Sequence, residues 1–336
     1  MSGSPSAKPT LLVVELWGMG DLVIATPFLQ AASEKYSVTL LAKPYAHDLQ
    51  RRFWKGIHVV PFVAPWTAFH RKYWLPEWPW REIFRLRKLA QKPFDIALSA
   101  RWDPRDHLLL MMLGARRRLG FPRLKSELFL NEALDRPAPT AHRYENWRVL
   151  GQALGLELPA RENLPAPAPR KGNQILVHTG AGQPVRVWPL DRYAGLVKHL
   201  RGEGFPVQVA CDPEQRAFWL AQGESRIATP KTVAELLTLI DEAASFIGND
   251  SGPSHLAAFS GVPTFTLFGP QVTEWFAPLH PAGECLEGKA CPFKPCSDYC
   301  RFPVPHCMVN SGEVEVRNRV QGFLERVLGR RISQPA

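Results

Sequence analysis

Short apolar runs alternate along this chain with segments whose apolar positions recur at helical spacing. LLVVEL (11–16) leads into an apolar-periodic segment ending near Tyr36, then SVTLLA (37–42) and, further on, FDIALSA (94–100). After His142 the helical pattern HRYENWRVLGQALGL runs to a stop at Gly155. Apolar runs of that length bounded by turn residues predict strands, and strands separated by helices predict a parallel sheet covered on both faces.

LPARENLPAPAPRKG (158–172) is the most linker-like stretch, and beyond it the alternation restarts. QILVHTGAG is followed by a helix near 190–201, PVQVAC, helices near 213–222 and 233–244, and then SFIGNDSGPSHLAAFSGVPTFTLFGP. The pattern predicts two doubly wound, Rossmann-like α/β domains in series, 1–165 and 166–336, with the last helix free to pack back on the first. Ligands in open α/β sheets sit at the carboxyl ends of strands, so the two domains are expected to face one another across a central cleft. A length of 336 residues agrees, since single cores rarely grow beyond roughly 250 to 300 residues. The window 251–273 carries no charged residue and is long enough to cross a bilayer. Gly252, Pro253, Gly261, Pro263, Gly269 and Pro270 interrupt it, so it reads as turn, helix and buried strand.

Charge adds an asymmetry. Residues 1–170 hold 25 Lys and Arg against 15 Asp and Glu, whereas 171–336 hold 16 of each, so the whole net charge of +10 lies in the first half. A localised basic surface attracts phosphate on nucleic acid, on lipid headgroups or on an anionic glycan. No nucleic-acid-binding motif accompanies it, which argues against the first. The segment AFHRKYWLPEWPWREIFRLRKL (68–89) has two readings. It is either an acceptor- and membrane-facing patch, with Trp and Tyr at the interface, or a packed loop and amphipathic helix with solvated charges; the confinement of the charge to this half favours the patch. Glu15 and Asp21 come too early for the apolar core of a secretion signal, which points to a cytoplasmic protein.

Each predicted domain opens with a strand that runs into a glycine-bearing loop. In VHTGAGQPVRVWP (177–189), Gly180 and Gly182 let backbone amides approach an anion and Arg186 adds a fixed positive charge. That is a diphosphate cradle, or else an ordinary turn with a surface arginine. In GNDSGPSHLAA (248–258), Asp250 and Ser251 stand at a strand end, Gly252 permits a close turn, and the helix starting near Ser254 or His255 offers an amino terminus to phosphate. Alone, the same residues would serve as a helix cap beside a buried histidine. The first loop, WGMGDLVIATPF (17–28), instead carries Asp21, which would repel a phosphate and whose commoner duty is to cap a helix. Cys291, Cys296, Cys300 and Cys307 cluster near the end with His306 beside them. CxxxxC followed by CxxxC lacks the paired CxxC knuckles of common zinc sites, and a cytoplasmic setting argues against disulfides. No metal is expected; a structural ion on these thiols is the open alternative.

GMGDLVIATP, HTGAG with WP shortly after, and NDSGPSHLAAFSGVPTFTLFGP resemble the hallmark segments of the ADP-heptose:lipopolysaccharide heptosyltransferases, glycosyltransferase family nine. FDIALSA, GARRRLGF and HRYENWRVLGQALGL extend the resemblance over nearly the whole chain. It implies a GT-B fold and an inverting transfer, with no cofactor required, from ADP-heptose or another nucleotide sugar to an anionic, lipid-linked glycan acceptor at the inner-membrane surface. It casts Asp21 as general base toward the acceptor hydroxyl and Arg186 in place of a lysine that neutralises the departing diphosphate. Asp250, Ser251, Gly252, Pro253 and His255 would hold the diphosphate and donor sugar, Thr179, Gly180 and Ala181 would flank the phosphates, and Glu214 and Lys231 would lie near the adenosine. The chain departs from the pattern at Thr179, usually proline, at Arg186, and at Val187, often basic. Arginine keeps the charge and adds a bidentate fork. A noncatalytic nucleotide-binding protein of this fold is the rival reading, and retention of Asp21 and Arg186 counts against it.

Overall fold

The computed structural model describes residues 8–67, 78–89, 92–165 and 172–329. Its contacts divide the chain into two units, 1–160 and 161–336, a boundary that falls inside the linker-like stretch. Residues 68–77 of the basic aromatic segment lie outside the described residues.

The first unit runs β1 (Thr10–Val14), α1 (Met19–Ile24), α2 (Thr26–Lys35), β2 (Ser37–Ala42), α3 (Ala46–Phe53), β3 (His58–Pro61), α4 (Trp80–Leu89), β4 (Ile96–Ser99), α5 (Pro104–Met112), β5 (Arg117–Gly120), β6 (Glu132–Ala133) and α6 (Tyr144–Ala153). Its six strands are parallel in the order β3-β2-β1-β4-β5-β6. Leu11 to Val14 are buried throughout, as expected of a central strand with helices on both faces. Trp54, Trp66 and Trp78 are buried too, and Trp66 packs on Trp78 with ring centres 4.4 Å apart, so part of the tryptophan-rich region is core. Phe84 on α4 stays 62% exposed among the exposed Arg81, Arg85 and Lys88. The amphipathic-helix reading of this segment therefore holds for its buried Trp78 and Ile83, while its outer side remains a basic surface.

The second unit runs β7 (Gln174–His178), α7 (Leu190–Gly202), β8 (Val207–Ala210), α8 (Arg216–Ala221), β9 (Ile227–Ala228), α9 (Val233–Asp241), β10 (Ala243–Asn249), α10 (Gly252–Phe259), β11 (Thr264–Phe268), α11 (Thr273–Phe276), β12 (Glu284–Glu287), α12 (His306–Val309) and α13 (Glu313–Leu328). Its strands are again parallel, ordered β12-β11-β10-β7-β8-β9. The uncharged window 251–273 is α10 followed by the buried β11, and among the described residues no helix is long and apolar enough to cross a membrane.

Both sheets wind outward from a central strand. In the first, β1 lies between β2 and β4; in the second, β7 lies between β8 and β10. At such a point the connections leave in opposite directions, so the strand ends stay uncovered and the loops there can hold a ligand. The last helix, α13, buries Val316, Val320, Phe323 and Leu324 in the second unit's core, with Phe323 against Phe265 at 5.7 Å between ring centres. Phe323→Ala leaves a cavity under this helix and is expected to cost about 3–5 kcal/mol. Chemical denaturation with both proteins at one pH measures that loss.

Candidate functional site

In the first unit, β1 delivers Glu15 and Asp21 to the switch point and β4 delivers Arg101 from the adjacent strand end. Asp21 sits in the first turn of α1, where its Oδ2 accepts the Gly18 amide at 3.0 Å. That is a cap made from inside the helix, so the capping duty expected of this residue is present. Its Oδ1 accepts from Arg101 Nη1 at 2.9 Å, which holds the carboxylate at the loop's open end. Arg101 also lies over the Trp17 ring at 4.5 Å, and Arg143 lies over Trp102 at 4.3 Å. Lys43 and Tyr45, just beyond β2, share the field of Glu15 and Asp21.

The electrostatics of this loop are set by burial. Glu15, 1% exposed, is pushed up to about 8 by loss of water and then by the nearby Asp21 charge, against the opposing pull of Arg101 and of the Trp17 amide that it accepts at 3.2 Å. Burial lowers Lys43, and it draws Arg143 down to about 10 with help from the like charge of Arg101. Behind Arg101, Asp106 is buried and raised to about 7, held by Trp66 Nε1 at 2.8 Å and Ser99 Oγ at 3.2 Å. Lys43, Arg101 and Arg143 thus surround Asp21 with cations that the motif did not reveal. Arg101 had one legible sign, since it directly follows the predicted strand FDIALSA.

In the second unit the loop after β7 and the loop after β10 meet at the other switch point. Asn249 joins them. Its Oδ1 accepts the Trp188 amide at 3.1 Å and the Tyr193 hydroxyl at 2.9 Å, while its Nδ2 donates to Thr179 O at 3.0 Å. Arg186 is brought against Asp250, with Nη1 donating to Oδ2 at 3.2 Å and to the carbonyl at 3.3 Å. Ser251 is the N-cap residue of α10, and Gly252, Pro253, Ser254 and His255 form its first turn, with Ser251 and His255 buried.

Two of the residues expected to flank phosphates have a structural task. Thr179 is buried, and its hydroxyl donates to Gln215 Oε1 at 2.8 Å and accepts from Trp219 Nε1 at 3.3 Å. Ala181 donates its amide to Asp212 Oδ2 at 3.0 Å, and a Cβ on Gly180 would collide with that carboxylate and displace it. Glu214 lies on the exposed turn after β8, within the field of Asp212. Lys231 follows β9, also exposed, and its amide binds Glu235. No hydrogen bond among the described residues joins Glu214 or Lys231 to the Arg186–Asp250 pair.

Cys291, Cys296, Cys300, Cys307 and His306 line one small cavity, and all six cysteines are free thiols. Burial raises the Cys296 and Cys307 thiols. Among the described residues no group of three or more His, Cys, Asp or Glu is arranged to hold a metal ion. The same loop carries Asp298, whose carboxylate takes Arg186 Nε at 2.7 Å and Nη2 at 2.6 Å. Nothing in the motif pattern marked this residue.

A raised carboxyl makes stability depend on pH with a definite sign. Folded Glu15 keeps a proton that the unfolded chain gives up above 4.5, so its contribution to stability falls as pH rises from 4.5 to about 8. Glu15→Gln cannot ionise and is expected to gain on the native protein steadily across that window. Urea unfolding of both proteins at several pH values reads the difference.

The sequence profile of glycosyltransferase family 9 (heptosyltransferase) matches residues 83–302. Lipopolysaccharide heptosyltransferase 3 of Escherichia coli K12 is 29% identical over 108 residues, a stretch covering 30% of this chain and 31% of that relative, so the alignment spans about a third of each. E. coli heptosyltransferase WaaC with ADP superposes with a TM-score of 0.70 at 19% identity, over 94% of this chain and 99% of that one. The family 9 glycosyl transferase from Veillonella parvula gives 0.71 at 17%, over 96% and 99%. These structures share the α/β architecture of two parallel sheets expected of a GT-B protein. With a profile match over most of its length and hallmark loops at both switch points, the chain belongs to glycosyltransferase family 9.

Proposed function

We propose that the protein is an inverting glycosyltransferase that moves heptose from ADP-heptose to a lipopolysaccharide core or a related anionic, lipid-linked glycan. The observation that carries this reading is the division of charge between the switch points. One presents the Asp21 carboxylate to a hydroxyl, and the other presents the Arg186 guanidinium and the start of α10 to a diphosphate. The ADP in the WaaC structure and the lipopolysaccharide in the curated relative's name support the donor and the acceptor class.

In the reaction the acceptor hydroxyl attacks the anomeric carbon from the side opposite the diphosphate. The bond from that carbon to the β-phosphate oxygen breaks, and its electrons leave on ADP. Asp21 takes the hydroxyl proton as the acceptor oxygen becomes acidic; each of its oxygens has a lone pair beyond those committed to Arg101 and Gly18. Arg186 and the α10 amides meet the charge that builds on the leaving diphosphate. Lys43, Arg101 and Arg143 suit an acceptor bearing phosphate or carboxylate. Glu214 and Lys231 take the adenosine side, and Asp250, Ser251, Gly252, Pro253 and His255 frame the diphosphate and sugar.

The reaction places the protein at the cytoplasmic face of the inner membrane. The exposed Arg81, Arg85, Lys88 and Phe84 of α4 supply a surface for anionic headgroups. Sedimentation with vesicles rich in anionic lipid is expected to carry the protein down at low salt and to release it when all three basic residues are changed to glutamate; equal sedimentation of that variant would refute this surface.

Thermal stabilisation by a panel of ADP-, UDP- and GDP-linked sugars tests the donor, with the ADP-linked heptose raising the melting temperature most. If a different nucleotide stabilises and ADP-heptose does not, a family member with another donor is the correct reading. Asp21→Asn is expected to lower kcat by about 10²–10⁴-fold. Arg186→Ala is expected to lower it about 10²–10³-fold, with Arg186→Lys keeping part of the rate. Turnover unchanged by Asp21→Asn would remove Asp21 as the base, and nucleotide binding with no transfer at all would favour a noncatalytic protein.

A further inference from the structure

Arg186 carries two carboxylates. Asp250, 2% exposed, is fixed by β10, with its amide on Leu267 O at 2.8 Å. Asp298 is tied by its amide to the Cys296 sulfur of its own loop and not to a strand. It sits in the cysteine-bearing loop between β12 and α12, and it binds the guanidinium edge-on through both oxygens, at 2.7 and 2.6 Å. Arginine takes a phosphate with this same two-pronged geometry. The free protein therefore holds an anion of its own on the group that the proposed function gives to the donor's diphosphate.

The loop around Asp298 turns sharply, with Ser297 and Asp298 both in the left-handed region at φ 50° and 70°, a conformation that aspartate adopts more readily than serine. Its ends are held elsewhere. Lys294 pairs with Glu287 at 3.2 Å, the Cys296 amide donates to Pro270 O at 3.3 Å, and Cys307 and Met308 lie in the core. Asp298 is the loop's ion-pair partner of Arg186, and between those ends the Tyr299 amide turns back on Cys296 O at 3.0 Å, so the middle of the loop is a local turn. A diphosphate arriving while both carboxylates remain would meet a site whose net charge is already negative.

We propose that Asp298 is a displaceable stand-in for the donor's diphosphate: it closes the site on Arg186 in the free protein, and the nucleotide's phosphates drive it off and release the 297–300 segment that covers the Cys296 thiol. The inference rests on the reading that Arg186 receives the diphosphate. It makes nucleotide binding an exchange of one anion for another, and couples that exchange to the exposure of the neighbouring thiols.

Two measurements on the full chain test it, with ADP as the probe. By calorimetric titration Asp298→Asn is expected to bind ADP about tenfold more tightly than the native protein, since the competing carboxylate is gone. In the native protein ADP is expected to speed iodoacetamide alkylation of Cys296 and Cys300, read by peptide mass, whereas in Asp298→Asn alkylation is already fast and ADP changes it little. Equal or weaker ADP binding by the variant would make Asp298 a residue that merely orients Arg186, and native alkylation rates unchanged or slowed by ADP would overturn the release even if the variant failed to fold. ADP binding to neither protein would overturn the donor reading itself, and the stand-in with it.

Discussion

A parallel sheet that starts its winding at a central strand cannot cover every strand end. Two connections depart from that strand and its neighbour toward opposite faces, and the space between them remains open at the carboxyl end. Both sheets here are built so, with β1 beside β4 and β7 beside β10. All the chemistry assigned to the chain depends on those two openings. Asp21 and Arg101 belong to one and Arg186 and Asp250 to the other, although each pair is separated by at least sixty residues of sequence.

Charges at such openings are only partly hydrated, and a partly buried charge without a counter-ion is costly. The structure answers with pairing throughout. Arg101 lies between Asp21 and the aromatic face of Trp17, and Arg186 lies between Asp250 and Asp298. One group is treated differently. Glu15 is sealed beneath the first loop, and loss of water, with the Asp21 charge close by, pushes its carboxyl up to about 8. Two acidic residues six positions apart thus have different surroundings, because Glu15 has been removed from solvent.

The hub that joins the two loops of the second unit is uncharged. Asn249 ties the β7 loop, Trp188 and Tyr193 to the end of β10, so the positions of Arg186 and Asp250 are set by one amide. The Asp212 carboxylate does similar work on Ala181, and a Cβ at Gly180 would push it aside. Thr179 turns its hydroxyl inward to Gln215 and Trp219, which fixes the start of the β7 loop.

Much of this was legible in the sequence. Strand and helix alternation follows from local periodicity, which is why SVTLLA is β2 to the residue and why the uncharged window became α10 and β11. Loops that bear glycine and a charge at strand ends are also local features, so Asp21, Arg186 and the segment from Asp250 to His255 could be named in advance. Partners from distant parts of the chain could not. Arg101 comes from β4, Asn249 accepts bonds from residues about sixty positions earlier, and Asp298 arrives from a loop in which only the cysteines and His306 drew notice. The sequence by itself determined the elements, their parallel class and the family, because those rest on short-range pattern. Only the tertiary structure decided which charge stands on which, since an ion pair depends on distance in space and burial sets its strength, and neither is written in the order of residues.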